Sequence, residues 1–163
     1  MNHVFVEHKA ETSVTAKSFS DPLIPNRHQR LETATRRVYL ALVQSGFPPH
    51  AEGSMDIELD MDRVLELYPE IYMDWARDQI AICNTMIPLY AAEDAFDRVL
   101  READHAIRVI ANCNGLFDDL APEFHGYRVV CLTNLGRQDE ALVAADKYKG
   151  LIEERRQRRA TRQ

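Results

Sequence analysis

Leu135-Gly136-Arg137-Gln138-Asp139-Glu140-Ala141-Leu142 packs a helix end, a glycine stop and a new helix start into eight residues. Gly136 suits the left-handed position just past a helix, where a side chain is strained. Asp139 and Glu140 put negative charge on the next helix's first turn, where the backbone dipole favours it. Ala141 is small enough for two antiparallel helices to approach closely. Leu142 flanks the inward residues of that helix, so replacing it with Glu is expected to unfold the hairpin.

Working outward, apolar residues recur at spacings of three and four along most of the chain, which signals helices with one buried face. Leu31, Ala34, Val38, Ala41 and Leu42 give a helix over about 30–45, ended by Gly46, Pro48 and Pro49. Asp60 or Asp62 caps a short helix that stops near Leu67. Pro69 then opens a longer helix to about Ile87, because proline suits a first helical turn. Its face carries Ile71, Trp75, Ile82 and Met86, and Pro88 is expected to end or kink it. Phe96, Leu100, Ala103, Ile107 and Ile110 form the stripe of a helix over about 93–111. Pro122 starts another, with Phe124, Tyr127, Cys131 and Leu135 inward. The last begins near Asp139, with Ala141, Ala145, Tyr148 and Ile152 inward. No stretch alternates with period two for long enough to need a sheet. The expected class is all-α, with about five helices.

A shift of 45 residues lays Phe96 on Ala141, Leu100 on Ala145, Ala103 on Tyr148 and Ile107 on Ile152. Residues 69–111 and 122–155 therefore read as two consecutive hairpins, each burying one face against the other. Gly136, Ala141 and Leu142 resemble the turn and second helix of the tetratricopeptide-repeat family, over about residues 125–150. Val129 and Tyr148 stand where that family carries small residues. The resemblance implies stacked antiparallel hairpins that present surface to partners. A plain helical bundle fits the same stripes.

The 163-residue length fits one domain. The expected organisation is a flexible N-terminal arm over 1–27, a helical domain over 28–155 and a basic C-terminal tail over 156–163. Val4, Phe5 and Val6 offer the arm an apolar anchor. A net charge of −6 argues against whole-surface affinity for nucleic acid or anionic membrane. No apolar run approaches the roughly 20 residues of a membrane helix. Met1–His8 lacks the cationic start and apolar stretch of a signal peptide. Cys83, Cys113 and Cys131 are an odd number without paired spacing. They fit reduced thiols, and hence a cytoplasmic location.

Chemistry-bearing patterns are sparse. Glu102 and His105 make one Glu-x-x-His, where a di-iron bundle needs two plus further carboxylates. Glu70, Asp74 and Asp78 read as a solvated acidic face. Asp56, Glu58, Asp60 and Asp62 alternate as calcium ligands do, but Met61 and Leu67 stand where such a loop needs Gly and Glu. Cys83 and Cys131 lie in apolar stripes, and Cys113 is expected to be the exposed thiol. The glycines are scattered singly, without a phosphate-binding loop. No catalytic residue, cofactor or metal is expected.

The functional expectation is a non-enzymatic protein–protein interaction or adaptor module. A partner segment would enter a groove between helices lined by Trp75, Ile82, Tyr127 and Arg128. The partner would be another protein or a second copy of the chain. The alternative is a small regulator that contacts nucleic acid through Arg155, Arg156, Arg158, Arg159 and Arg162, by phosphate attraction alone.

Overall fold

The computed structural model describes residues 27–46 and 60–161. Residues 1–26 of the expected arm, the acidic residues Glu52, Asp56 and Glu58, and Arg162 lie outside them, whereas Arg27 begins the first helix. Six α-helices and no strand occur among the described residues: α1 (Arg27–Gln44), α2 (Met61–Leu67), α3 (Pro69–Ala92), α4 (Phe96–Ala111), α5 (Ala121–Asn134) and α6 (Gln138–Ala160). The fold is all-α.

The local signals at the helix ends hold. The Asp60 side chain accepts from the Arg63 backbone N–H at 3.2 Å and caps α2. Pro69 is the first residue of α3. Gly136 has φ of 73°, and the Arg137 N–H reaches back to the Leu132 carbonyl at 2.9 Å. That is the glycine-closed helix end expected from 135–142.

Three expectations are corrected. Pro88 does not end α3, which continues to Ala92. The carbonyl that proline leaves without its helical donor is that of Asn84, an exposed residue that water can solvate. Leu89 and Tyr90 meanwhile pack the last turn against Ile82 and Met86. The boundary drawn at 155 falls inside α6, so the arginine-rich end is the final turns of a helix. Leu142 is 67% exposed, and Ala144 takes the buried place beside Ala141.

Principal packing runs α1 on α3, α2 on α3, α3 on α4, α4 on α5 and α5 on α6. Among the described residues, no comparable packing joins α6 back to α1 or α3. The stack is open, and its two ends are α1 with α2 and α6. One core cluster threads it from Val38 and Leu42 through Ile80, Val99 and Phe124 to Ala141 and Ala144. A smaller cluster of Ala34, Ile82 and Met86 lies between α1 and α3.

Candidate functional site

The most chemically loaded place in the fold is the seam where α1, α3 and α4 meet. α4 buries Val99, Leu100, Ala103, Ala106, Val109 and Ile110. Glu102 lies on the same face and is drawn inside with them, 4% exposed. A lone buried carboxylate is costly unless it is paired and hydrogen-bonded. Two helices supply the partners. Arg27, at the start of α1, donates from Nε to Glu102 Oε1. The Cys83 thiol on α3 donates to Oε2 at 3.4 Å. One helical turn on, His105 Nε2 shares a hydrogen bond of 3.0 Å with buried Gln79. Trp75 packs edge-on to that imidazole, with centroids 6.4 Å apart.

Burial, then the neighbouring Glu102 carboxylate, pushes the Cys83 thiol up to about 12. The thiol is therefore held in its protonated form at neutral pH. His105 is held below its ordinary value, first by burial and then by the Arg108 charge. Glu102 is therefore occupied by a cation and a thiol, and His105 by an amide. No group of three or more metal-ligating side chains forms among the described residues.

A second polar contact bridges α4 and α5. Arg128 donates to Asp104 at 2.8 Å. His125 lies alongside, its Nδ1 buried without a hydrogen-bond partner. Burial, then the charges of Lys147 and Arg128, depresses its pKa. Burial pushes the Cys131 thiol up to about 11. Cys113 is not the exposed thiol: it is 1% exposed, and its Sγ donates to the Val109 carbonyl at 3.1 Å. It follows α4 by two residues, and Ile110 still receives its backbone N–H, which keeps it on the buried side.

The four expected groove residues are not brought together. Trp75 is half-buried against Tyr72 and His105. Ile82 is buried with Ala34 of α1, closed off from a partner. Tyr127 packs partly buried on the main core, and Arg128 is tied to Asp104. Arg155 and Arg158 line a small cavity of about 100 Å³ with Asp118, Leu151 and Glu154. Arg158 lies 3.9 Å from Asp118 and 3.5 Å from Glu154. Arg156 pairs with Glu153 at 3.6 Å. Arg155 and Arg159 make no ion pair among the described residues.

Sequence reasoning passed over Arg27, Gln79 and the burial of Glu102. The signal was present: Glu102 falls three residues after Val99 and four before Ala106, inside the apolar stripe. A charge there has to be buried with a partner or sit at the edge.

No family model matches the chain, and neither a curated protein nor a solved structure matches it. No helix among the described residues is long and apolar enough to cross a membrane.

Proposed function

We propose that the chain is a non-enzymatic protein–protein interaction module of the tetratricopeptide-like kind, binding a partner through the outer face of its last hairpin. The observation that carries this is α6. It packs on α5 and turns Leu142 and Val143 outward, 67% and 69% exposed. Adjacent large apolar side chains in water at the free end of an open stack favour a covering partner. The chemistry of the interior agrees: the three thiols are buried, each with its pKa raised, and Glu102 and His105 are held by neighbours. The proposed compartment is the cytoplasm, which suits three unpaired cysteines. Affinity capture from the source cell, read by mass spectrometry, tests the reading. The double substitution Leu142→Asp and Val143→Asp should abolish the specific partner while leaving the melting temperature unchanged. Retention of the same partner by the double variant would overturn it.

A second reading is favoured by Arg155 and Arg159, one helical turn apart and without ion-pair partners among the described residues. Phosphates of a nucleic acid would bind them by a steeply salt-dependent attraction. An anisotropy titration at two salt concentrations, repeated after deleting residues 155–163, decides it. Binding that ignores salt or survives the deletion removes this reading.

A further inference from the structure

The feature that the outward face of α6 does not account for is the way α1 is held. The other long internal helices each pack on two long neighbours, whereas α1 packs chiefly on α3, at one end of the stack. Its apolar contact is divided. Val38 and Leu42 join the main core, while Ala34 meets Ile82 and Met86 in a separate cluster. Two ion pairs accompany it. Arg27 binds the buried Glu102. Arg37 binds Asp78 through both carboxylate oxygens, at 3.0 and 2.8 Å. These arginines are ten residues apart, about 15 Å along a helix.

Of these four groups only Glu102 is buried, and replacing a buried charge and its partner by apolar side chains is often neutral or stabilising. What a buried carboxylate contributes instead is selectivity, because a helix without a cation there leaves Glu102 unpaired. The seat on α3 is therefore a groove with a reading frame: a cation, apolar residues seven and eleven positions on, and a second cation at the tenth. α1 matches it as a basic strand of sequence, with Arg27, Arg30, Arg36 and Arg37 against Glu32 alone.

We propose that this groove, formed by α3 and α4 and marked by Asp78 of the first and Glu102 of the second, is a binding site for a basic amphipathic helix of a partner protein. α1 is its intramolecular occupant. A partner helix of the same pattern displaces α1 and takes over its two carboxylates. The site is separate from the outer face of α6 and does not depend on it.

The test uses the full chain and a fluorescent synthetic peptide of residues 27–44. Two measurements are made. In the wild-type protein, hydrogen exchange is followed helix by helix. α1 amides should exchange at least about ten-fold faster than those of α4 and α5, as expected for an end unit that opens alone. Peptide anisotropy is then measured against the wild type and against Arg27→Glu/Arg37→Glu, in which α1 is loosened. Freeing the groove should tighten peptide binding by about ten-fold or more, because the competent fraction rises. A control peptide carrying both Glu substitutions should not bind. Three results would overturn the proposal: α1 amides as protected as those of α4, no peptide binding to either chain, or a loosened variant that doubles its mass by exchanging α1 between copies. Protected α1 amides in the wild type overturn the proposal even if the double variant fails to fold, and peptide binding to the wild type is still read.

Discussion

The two ends of the stack are held by different chemistry. The α1–α3–α4 seam carries a buried carboxylate, a guanidinium, a thiol, an amide and an imidazole. The α5–α6 hairpin is held by small residues. Ala141 and Ala144 are its buried alanines, and a Cβ placed on Gly126 would stand 3.4 Å from the Tyr148 ring. Close approach of two helices is insensitive to charge and depends on shape. A charged seam depends on which helix brings the cation. The comparison therefore separates a part that only needs to fit from a part that selects its occupant.

The largest effect should come from the shape-held end. Phe124 of α5 is fully buried in the main core. Phe124→Ala should cost about 3–5 kcal/mol, since deletion of a buried ring leaves a cavity that helices cannot close. Urea denaturation checks this, with the α6 signal lost together with that of α4. The charged end should respond less. Arg27→Ala leaves Glu102 buried and unpaired, and because Arg27 is itself 36% exposed the expected loss is about 2–3 kcal/mol. A double-mutant cycle with Glu102→Gln should recover most of it. A cycle with no coupling would show that the pair holds nothing together.

The third test is pH. His105 sits in the charged seam and His125 in the α5 region, and both are held below the ordinary 6.5, chiefly by burial. The unfolded chain then binds protons that the folded chain refuses. Stability is complete above 6.5 and falls as pH drops below it, until the depressed folded value is reached. The slope is at most about 1.4 kcal/mol per pH unit for each group. His105→Gln and His125→Gln should each flatten part of the decline. If instead acidification through this range stabilises the protein, both burial assignments are wrong.

Much of the fold was legible because its signals are local. Gly136, Pro69 and Asp60 each act through their own backbone, and the structure honours all three. The α4 stripe was legible in direction but slightly rotated: Phe96 and Ile107 are only partly buried, while Val99, Ala106 and Val109 are fully so. An isolated helix does not reveal where its neighbours sit. The candidate site was legible only in pieces. Glu102 and His105 stood out as a motif, but their partners Arg27 and Gln79 come from other helices, and Arg27 is 75 residues distant from Glu102. The burial of Ile82 was hidden for the same reason. Ile82 carries the right chemistry for a partner surface, yet α1 covers it, and nothing near Ile82 in sequence announces that cover.

The smallest effect belongs to Leu142, and it tests whether the shape-held end is shape alone. On a helical wheel Leu142 adjoins the buried Ala141, which invites burial. The structure turns it outward because Ala141 and Ala144 are the residues of α6 that enter the core, and the Tyr148 ring stands 3.4 Å from where a Cβ on Gly126 would be. Leu142→Glu therefore removes exposed apolar surface and adds a charge in water, in the second turn of α6 on its exposed side. Its cost should stay within about 0.5 kcal/mol, the usual range for surface substitutions. Circular dichroism and thermal melting read the outcome directly. A loss comparable with that of Arg27→Ala would mean that α6 buries this face against something, and the stack would then not be open at that end.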